Sequence, residues 1–232
     1  MALSNEKLTN YPFYLRIFAL GKRYFVNTPW WLKKFYSSYT WDIKTNQKTI
    51  YLTFDDGPHP IATPFVLDQL KKHNAKASFF CLGNNVRQYP DIYHRIIQEG
   101  HTVGNHSHTH PNGWKTRDEI YLDDIETAKK YIRSGLFRPP YGRITRRQAQ
   151  KLRSILGERS KIIMWSILSG DFDLEISKQK CLDNVMRHGK PGSIVVFHDS
   201  EKAFPRLAYA LPLVLKNFEE KSYRFSTLEE DF

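Results

Sequence analysis

Cysteine is scarce in this chain, with only Cys81 and Cys181 among 232 residues. Both fall in segments that read as regular elements, so buried thiols are expected rather than a bridge, and no disulfide framework is implied. Long apolar runs are missing too. No stretch approaches the ~20 apolar residues of a membrane-spanning helix. Met1 to Asn10 has neither the basic start nor the apolar run of a secretory leader. The expectation is a chain without signal peptide or transmembrane segment, cytoplasmic or peripheral to a membrane. Acidic residues are outnumbered, 24 against 35 Lys and Arg, for a formal charge of +11. The cations are scattered rather than gathered in one block, so an anionic partner and a merely basic surface are both open. There is no internal repeat, no low-complexity segment and no recognised nucleic-acid motif, so no nucleic-acid partner is expected.

What is present is a core. The 41% hydrophobic and 14% aromatic content exclude a disordered chain, and the length suits one sizeable α/β domain. Residues 11–41 stand apart. There Phe13, Tyr14, Phe18, Tyr24, Phe25, Trp30, Trp31, Phe35, Tyr36 and Trp41 interleave with Arg16, Lys22, Arg23, Lys33 and Lys34. Such a mixture suits an interfacial segment on an anionic membrane, and equally an arm whose aromatics pack onto the main domain. The expected division is an arm over 1–47 and a domain over 48–232.

From Lys48 onward strand-like and helix-like segments alternate, which indicates a parallel sheet or barrel. Ile50 to Phe54 reads as a strand buried on both faces. Helices are expected over 61–74, with Val66, Leu67 and Leu70 on one face, and over 90–99, with Ile92, Ile96 and Ile97 inward and Gly100 as the stop. Another is expected over 116–134, opened by a capping box of Thr116 and Glu119. Further helices are expected over 145–156, 177–188 and 205–220. Strands are expected over 77–82, 101–104, 161–168, 193–197 and 223–225.

Polar residues gather where the strands end. Asp55 and Asp56 close the first strand, and Gly57-Pro58 turns the chain. Side chains alternate along a strand, so the two carboxylates are expected to point apart and do different work; a solvated turn is the plainer alternative. Further along come Asn105-His106-Ser107-His108-Thr109-His110, Arg138-Pro139-Pro140-Tyr141-Gly142, Asp171, and His198-Asp199. If 106–110 form a helical turn, His106 and His110 share a face and His108 points away. If the segment is extended, all three face one way. Two histidines and a carboxylate make a three-ligand metal site with open positions; a metal-free polar loop is the alternative. Arg138 could be a surface ion-pair former and His198 a structural residue.

Taken together and in order, these segments resemble a known family. Thr53-Phe54-Asp55-Asp56-Gly57-Pro58, His106-Ser107-x-x-His110, Arg138-Pro139-Pro140-Tyr141, Asp171 followed by an aromatic, and an apolar-x-His ending at His198 look like the ordered motifs of the polysaccharide deacetylases, the NodB-homology proteins of carbohydrate esterase family 4. The resemblance runs from about Lys48 to the end of the chain. It implies a distorted (β/α) barrel and metal-dependent removal of acetyl groups from an N-acetylated glycan such as peptidoglycan or a chitin-like polymer. By position it implies Asp55 as catalytic base, Asp56, His106 and His110 as metal ligands, and Arg138 as the residue orienting the base. The backbone N–H of Tyr141 would be the oxyanion donor, and His198 the general acid tuned by Asp171. The implied cofactor is a divalent metal, Zn²⁺ first, with Co²⁺, Ni²⁺ or Mn²⁺ as alternatives.

Two motifs depart from the family pattern. Leu168 stands where the fourth motif begins with Asp, with Phe172 in place of its Trp, and Val196 replaces the Leu two residues before the histidine. None is a residue that does chemistry, so they bear on substrate preference. Rival readings are the same fold acting on another carbon–nitrogen bond or an O-acetyl ester, and a non-catalytic protein that binds a glycan or anionic surface.

Overall fold

The computed structural model describes residues 24–228. Its centre is β1 (Thr49–Asp55), all seven residues of which are buried. β-Branched and aromatic side chains fill both faces, as a strand covered on both sides requires. Parallel neighbours flank it: β2 (Ser78–Cys81) and β7 (Ile194–His198). Phe54 stacks between Phe79 and Phe197, at centroid distances of 5.0 and 6.1 Å. The remaining strands are β3 (Thr102–Asn105), β4 (Leu136–Phe137), β5 (Lys161–Ile162), β6 (Ile167–Leu168) and β8 (Arg224–Phe225). The curled sheet runs β5-β4-β3-β2-β1-β7-β6, with β8 pairing the start of β1. All these pairings are parallel. The expected distorted α/β barrel is thus present, and the carboxyl ends of its strands open on one face.

Helices cover the outside. In chain order they are α1 (Trp30–Phe35), α2 (Ala62–Lys72), α3 (Gly83–Gln88), α4 (Pro90–Gln98), α5 (Asp118–Lys129), α6 (Arg146–Leu156), α7 (Lys178–His188) and α8 (Phe204–Glu220). α2 buries Val66, Leu67 and Leu70 as its spacing predicts. Cys81 and Cys181 are free and buried.

Several expectations are corrected. The single strand over 161–168 is two strands on opposite edges of the sheet: β5 pairs β4 and β6 pairs β7. The intervening residues bridge the gap, with Ile163 N–H donating to Phe137 and Ser166 N–H to Ile194. An apolar run carries no signal for such a break, because residues bridging two edges are as buried as residues in a strand. The Thr116–Glu119 capping box is absent: α5 starts at Asp118, and Arg117 precedes it without a side-chain cap. The acidic pair Asp118 and Glu119 favours that start through the helix dipole instead. α5 also ends at Lys129 rather than Ser134. In α4 the inward residues are Tyr93 and Ile96, while Ile97 is exposed. α3 was not expected from the sequence. It approaches α5 so closely that a Cβ on Gly83 would lie 2.8 Å from the Cα of Ala128.

Residues between Val26 and Thr40 lie against the bridging segment and the strands it joins. Thr28 N–H donates to Ser166, Leu168 N–H to Val26, Thr40 N–H to Ile162 and Met164 N–H to Thr40. Trp41 is buried beside Ile144 and Leu152, with Tyr36 and Tyr39 packed against them. Trp30, Trp31 and Phe35 of α1 stay exposed. Phe13, Tyr14, Phe18, Arg16, Lys22 and Arg23 lie outside the described residues.

Candidate active site

Register brings the functional residues together. Asp55, the last residue of β1, pairs with His198, the last of β7. On the other side β2 aligns Cys81 with Asn105, and Asn105 pairs with Phe137, so His106 and Arg138 emerge side by side.

Asp55 is 3% exposed and accepts a 2.6 Å hydrogen bond from Arg138 Nη1. Arg138 is fully buried, so it is no surface ion-pair former. Its other donors reach Thr53 Oγ1 at 2.7 Å, the Ile163 carbonyl at 3.2 Å and the Met164 carbonyl at 3.0 Å. Its guanidinium lies 4.1 Å from the Phe80 ring centroid. Burial pushes the Asp55 carboxyl up, but Arg138, with His106 and His198, outweighs burial and holds it below its ordinary value. Asp55 is therefore an ionised carboxylate in a nearly dry site.

Asp56 faces elsewhere. Strand alternation is not the reason, because β1 ends at Asp55; Asp56 itself turns the chain with φ of 80°. Its Oδ1 lies 3.7 Å from His106 Nε2 and 3.4 Å from His110 Nε2. His106 Nδ1 is 2.8 Å from the Arg138 carbonyl and donates to it, which leaves Nε2 as a free lone pair. Burial, then His106, press His110 down to about pKa 4, so its ring is neutral. The segment 106–110 is neither a helical turn nor extended, since Ser107 and His110 take φ of 70° and 63°. His108 points away and stacks on Tyr131 at 5.8 Å.

The ligand atoms of Asp56, His106 and His110 lie within 4.8 Å of one another. Asp56 Oδ1 is buried without a hydrogen-bond partner, a costly arrangement for a carboxylate. One carboxylate and two imidazoles are a donor set for a borderline divalent cation, and the residues fit such an ion.

Across the cleft, His198 Nδ1 donates to Asp171 Oδ1 at 2.8 Å, and its backbone N–H donates to Asp171 Oδ2 at 2.7 Å. Asp171 is fully buried. Burial alone would lower His198, but Asp171 overrides it and the pKa rises to about 9. Phe172 stands edge-on to the His198 ring at 5.1 Å, and Tyr24 packs behind Phe172 at 5.1 Å. Tyr141 sits in a tight turn at φ 59°, its exposed ring 4.5 Å from that of His110. The N–H groups of Gly142 and Arg143 donate to Pro139 and Pro140 and so fix that turn.

Sequence reading assigned no work to Asp199. It is fully buried, takes the Thr63 hydroxyl, and donates its N–H to the Asp55 carbonyl at 3.1 Å. A Cβ on Gly57 would fall 2.1 Å from its Oδ2, so the turn after Asp56 needs glycine. Burial, with Asp56 and Asp55 adding and Thr63 opposing, raises the carboxyl to about pKa 8. A carboxylate directly after a strand-end histidine was the available signal.

A profile for polysaccharide deacetylases matches residues 42–157. A peptidoglycan-N-acetylglucosamine deacetylase of Bacillus cereus is 33% identical, over 87% of this chain and 74% of its own. A peptidoglycan-N-acetylmuramic acid deacetylase of Bacillus subtilis is also 33% identical, over 81% of this chain and 39% of its own. A crystal structure of a peptidoglycan N-acetylglucosamine deacetylase, in complex with 4-naphthalen-1-yl-N-oxidanyl-benzamide, superposes with a TM-score of 0.79. That protein is 32% identical, and the match covers 88% of this chain and 97% of that one. The strand-end residues, the curled parallel sheet and these relatives converge, and the chain belongs to the polysaccharide deacetylase family.

Proposed function

We propose that the chain removes acetyl groups from N-acetylated sugars of peptidoglycan, with N-acetylglucosamine units as first substrate. The observation that carries this is the split environment of neighbouring carboxylates. Asp56 faces two imidazoles across an unsatisfied pocket, while Asp55 is pinned by a buried arginine beside a cationic histidine.

Asp56, His106 and His110 would hold the metal, Zn²⁺ before Co²⁺, Ni²⁺ or Mn²⁺. Such an ion polarises the amide carbonyl and makes water acidic enough to deprotonate near neutral pH. An N-hydroxyamide of the kind bound to the structural relative is a chelating group, which agrees with this assignment. Asp55, held ionised and oriented by Arg138, takes the proton of the attacking water. The Tyr141 N–H would donate to the developing oxyanion; removal of one such donor typically costs ~3–4 kcal/mol. An amine leaves poorly unless protonated, and His198, kept cationic by Asp171, supplies that proton.

We assign these chemical roles to the domain over 48–232. Within the arm over 1–47, to residues 11–41 we assign contact with an anionic membrane surface, because Trp30, Trp31 and Phe35 are exposed near exposed Lys34. Replacing the three aromatics with alanine should weaken sedimentation with phosphatidylglycerol vesicles. Equal binding by both proteins defeats that assignment.

The central test is acetate release from peptidoglycan and from N-acetylglucosamine oligomers, after chelation and after each metal is returned. Release that depends on metal is expected. Release from O-acetyl esters alone, or metal binding with no release at all, overturns the reading.

A further inference from the structure

The loop between the two histidines is held by an element that does not belong to the site. We infer that Asp124, on the outer helix α5, is a positioning residue that fixes His106 and His110 onto Asp56. The inference rests on the metal-ligand reading above. Asp124 Oδ2 accepts the His108 N–H at 2.6 Å and the Thr109 N–H at 3.0 Å. Its Oδ1 accepts the Thr109 hydroxyl at 2.6 Å. Three donors from two consecutive loop residues thus end on one carboxylate, reaching in from another element.

Those two residues lie between the strained positions. Ser107 and His110 both take left-handed φ without being glycine, a conformation that costs energy and persists only where the surroundings over-determine it. Asp124 clamps the stretch between the kinks. A second set of bonds closes the frame from within: Asn105 Oδ1 accepts the Ser107 N–H at 2.7 Å, and Ser107 Oγ accepts the His110 N–H at 3.1 Å. Asn105 Nδ2 in turn donates to the carbonyl of Ile125, the residue after Asp124. The loop is therefore anchored twice to one turn of α5. Released from it, Ser107 and His110 can relax to ordinary φ, and the two Nε2 atoms no longer converge. Asp124 is not among the three grouped metal donors, so its removal subtracts no donor atom.

The test is the Zn²⁺ dissociation constant of the full chain, measured by competition with a chromogenic chelator. Asp124→Ala should weaken Zn²⁺ binding about 10- to 100-fold, the usual effect of losing a group that orients ligands. Asp124→Asn keeps an oxygen for the two N–H groups and should fall between wild type and alanine. Thr109→Val removes only the hydroxyl and should have the smallest effect. Saturating Zn²⁺ should restore most of the turnover of each variant, and urea melts of the metal-free variants should stay near wild type. A merely destabilised fold, which Zn²⁺ would also rescue by binding the native state, would melt earlier without metal. If Asp124→Ala does not fold, the order of the other two variants carries the test. A folded Asp124→Ala, or an Asp124→Asn and Thr109→Val pair, that binds Zn²⁺ within twofold of wild type overturns the inference. A wild-type chain that binds no Zn²⁺ overturns the ligand reading and this inference with it.

Discussion

The two walls of the cleft use the same side chain in opposite charge states. On the β3 side, the rear nitrogen of His106 is held by a backbone carbonyl, and burial keeps its companion His110 neutral at pKa about 4. On the β7 side, the rear nitrogen of His198 meets the buried carboxylate of Asp171, and the ring stays protonated to about pH 9. Both walls are largely dry, so burial is not what separates them. The neighbouring charge is: at His198 the Asp171 carboxylate outweighs burial and holds the proton, whereas at His110 burial, with His106 adding, outweighs Asp56. A metal-binding imidazole must be unprotonated and an acid must not be, so under the proposed roles one residue type serves both needs.

Removing the metal wall should have the largest effect. Asp56→Ala leaves only two imidazoles, and two histidines rarely retain Zn²⁺ against chelators. Metal content and turnover should vanish together, as metal analysis beside acetate assays will read. Asp55→Asn should lose comparable turnover yet keep about one equivalent of metal; if it loses the metal instead, the division between the two aspartates is wrong.

On the acid wall, His198→Ala should cost about 10²–10⁴ in turnover with metal content unchanged. A protein that melts early but works normally while folded would make His198 a structural residue only.

Exchanging the charge behind the ring is subtler. In Asp171→Asn the descending limb of kcat/KM against pH, expected near 9 in the wild type, should move down toward the ordinary histidine value of 6.5. The same pair contributes to stability. Because folding raises the pKa of His198, that contribution is complete below pH 6.5 and is lost as pH rises through about 9. Urea melts across that window should show the decline in the wild type and not in Asp171→Asn.

The smallest change concerns the aromatic support of that wall. Tyr24→Ala deletes the ring behind Phe172 and should cost about 0.5–1.5 kcal/mol beyond the lost buried area. Tyr24→Phe should keep most of it, losing only the 2.8 Å hydrogen bond to Asp173. Equal melting temperatures for alanine and wild type would show the contact to be idle.

How legible all this was in the sequence depended on distance along the chain. Five polar clusters at the ends of apolar runs announced Asp55, His106, Arg138, Asp171 and His198, because strand ends collect side chains from far apart. The buried face of α2 follows from Val66, Leu67 and Leu70, neighbours a turn apart. The cap at Thr145, whose hydroxyl accepts the Gln148 N–H at 3.1 Å, lies at the edge of an expected helix but was not itself expected. What else escaped reading depended on remote partners. The break within 161–168 exists because two different edges compete for the segment. Thr116 fails as a cap because α5 begins beyond it, at Asp118. The left-handed turns at Ser107 and His110 are held in place by Asp124, which no local pattern connects to them.

The bridging segment between β5 and β6 has a consequence for how the chain is made. Thr28 bonds through its hydroxyl to the carbonyl of Trp165, 137 residues further on, and Tyr24 to Asp173, 149 residues further on. During synthesis at ~5–20 residues per second, residues 24–41 leave the ribosome several seconds before their partners exist. Their tryptophans and tyrosines wait in the open for that time, so a chaperone that shields aromatic segments would have its client in the first part of this chain, not in the barrel.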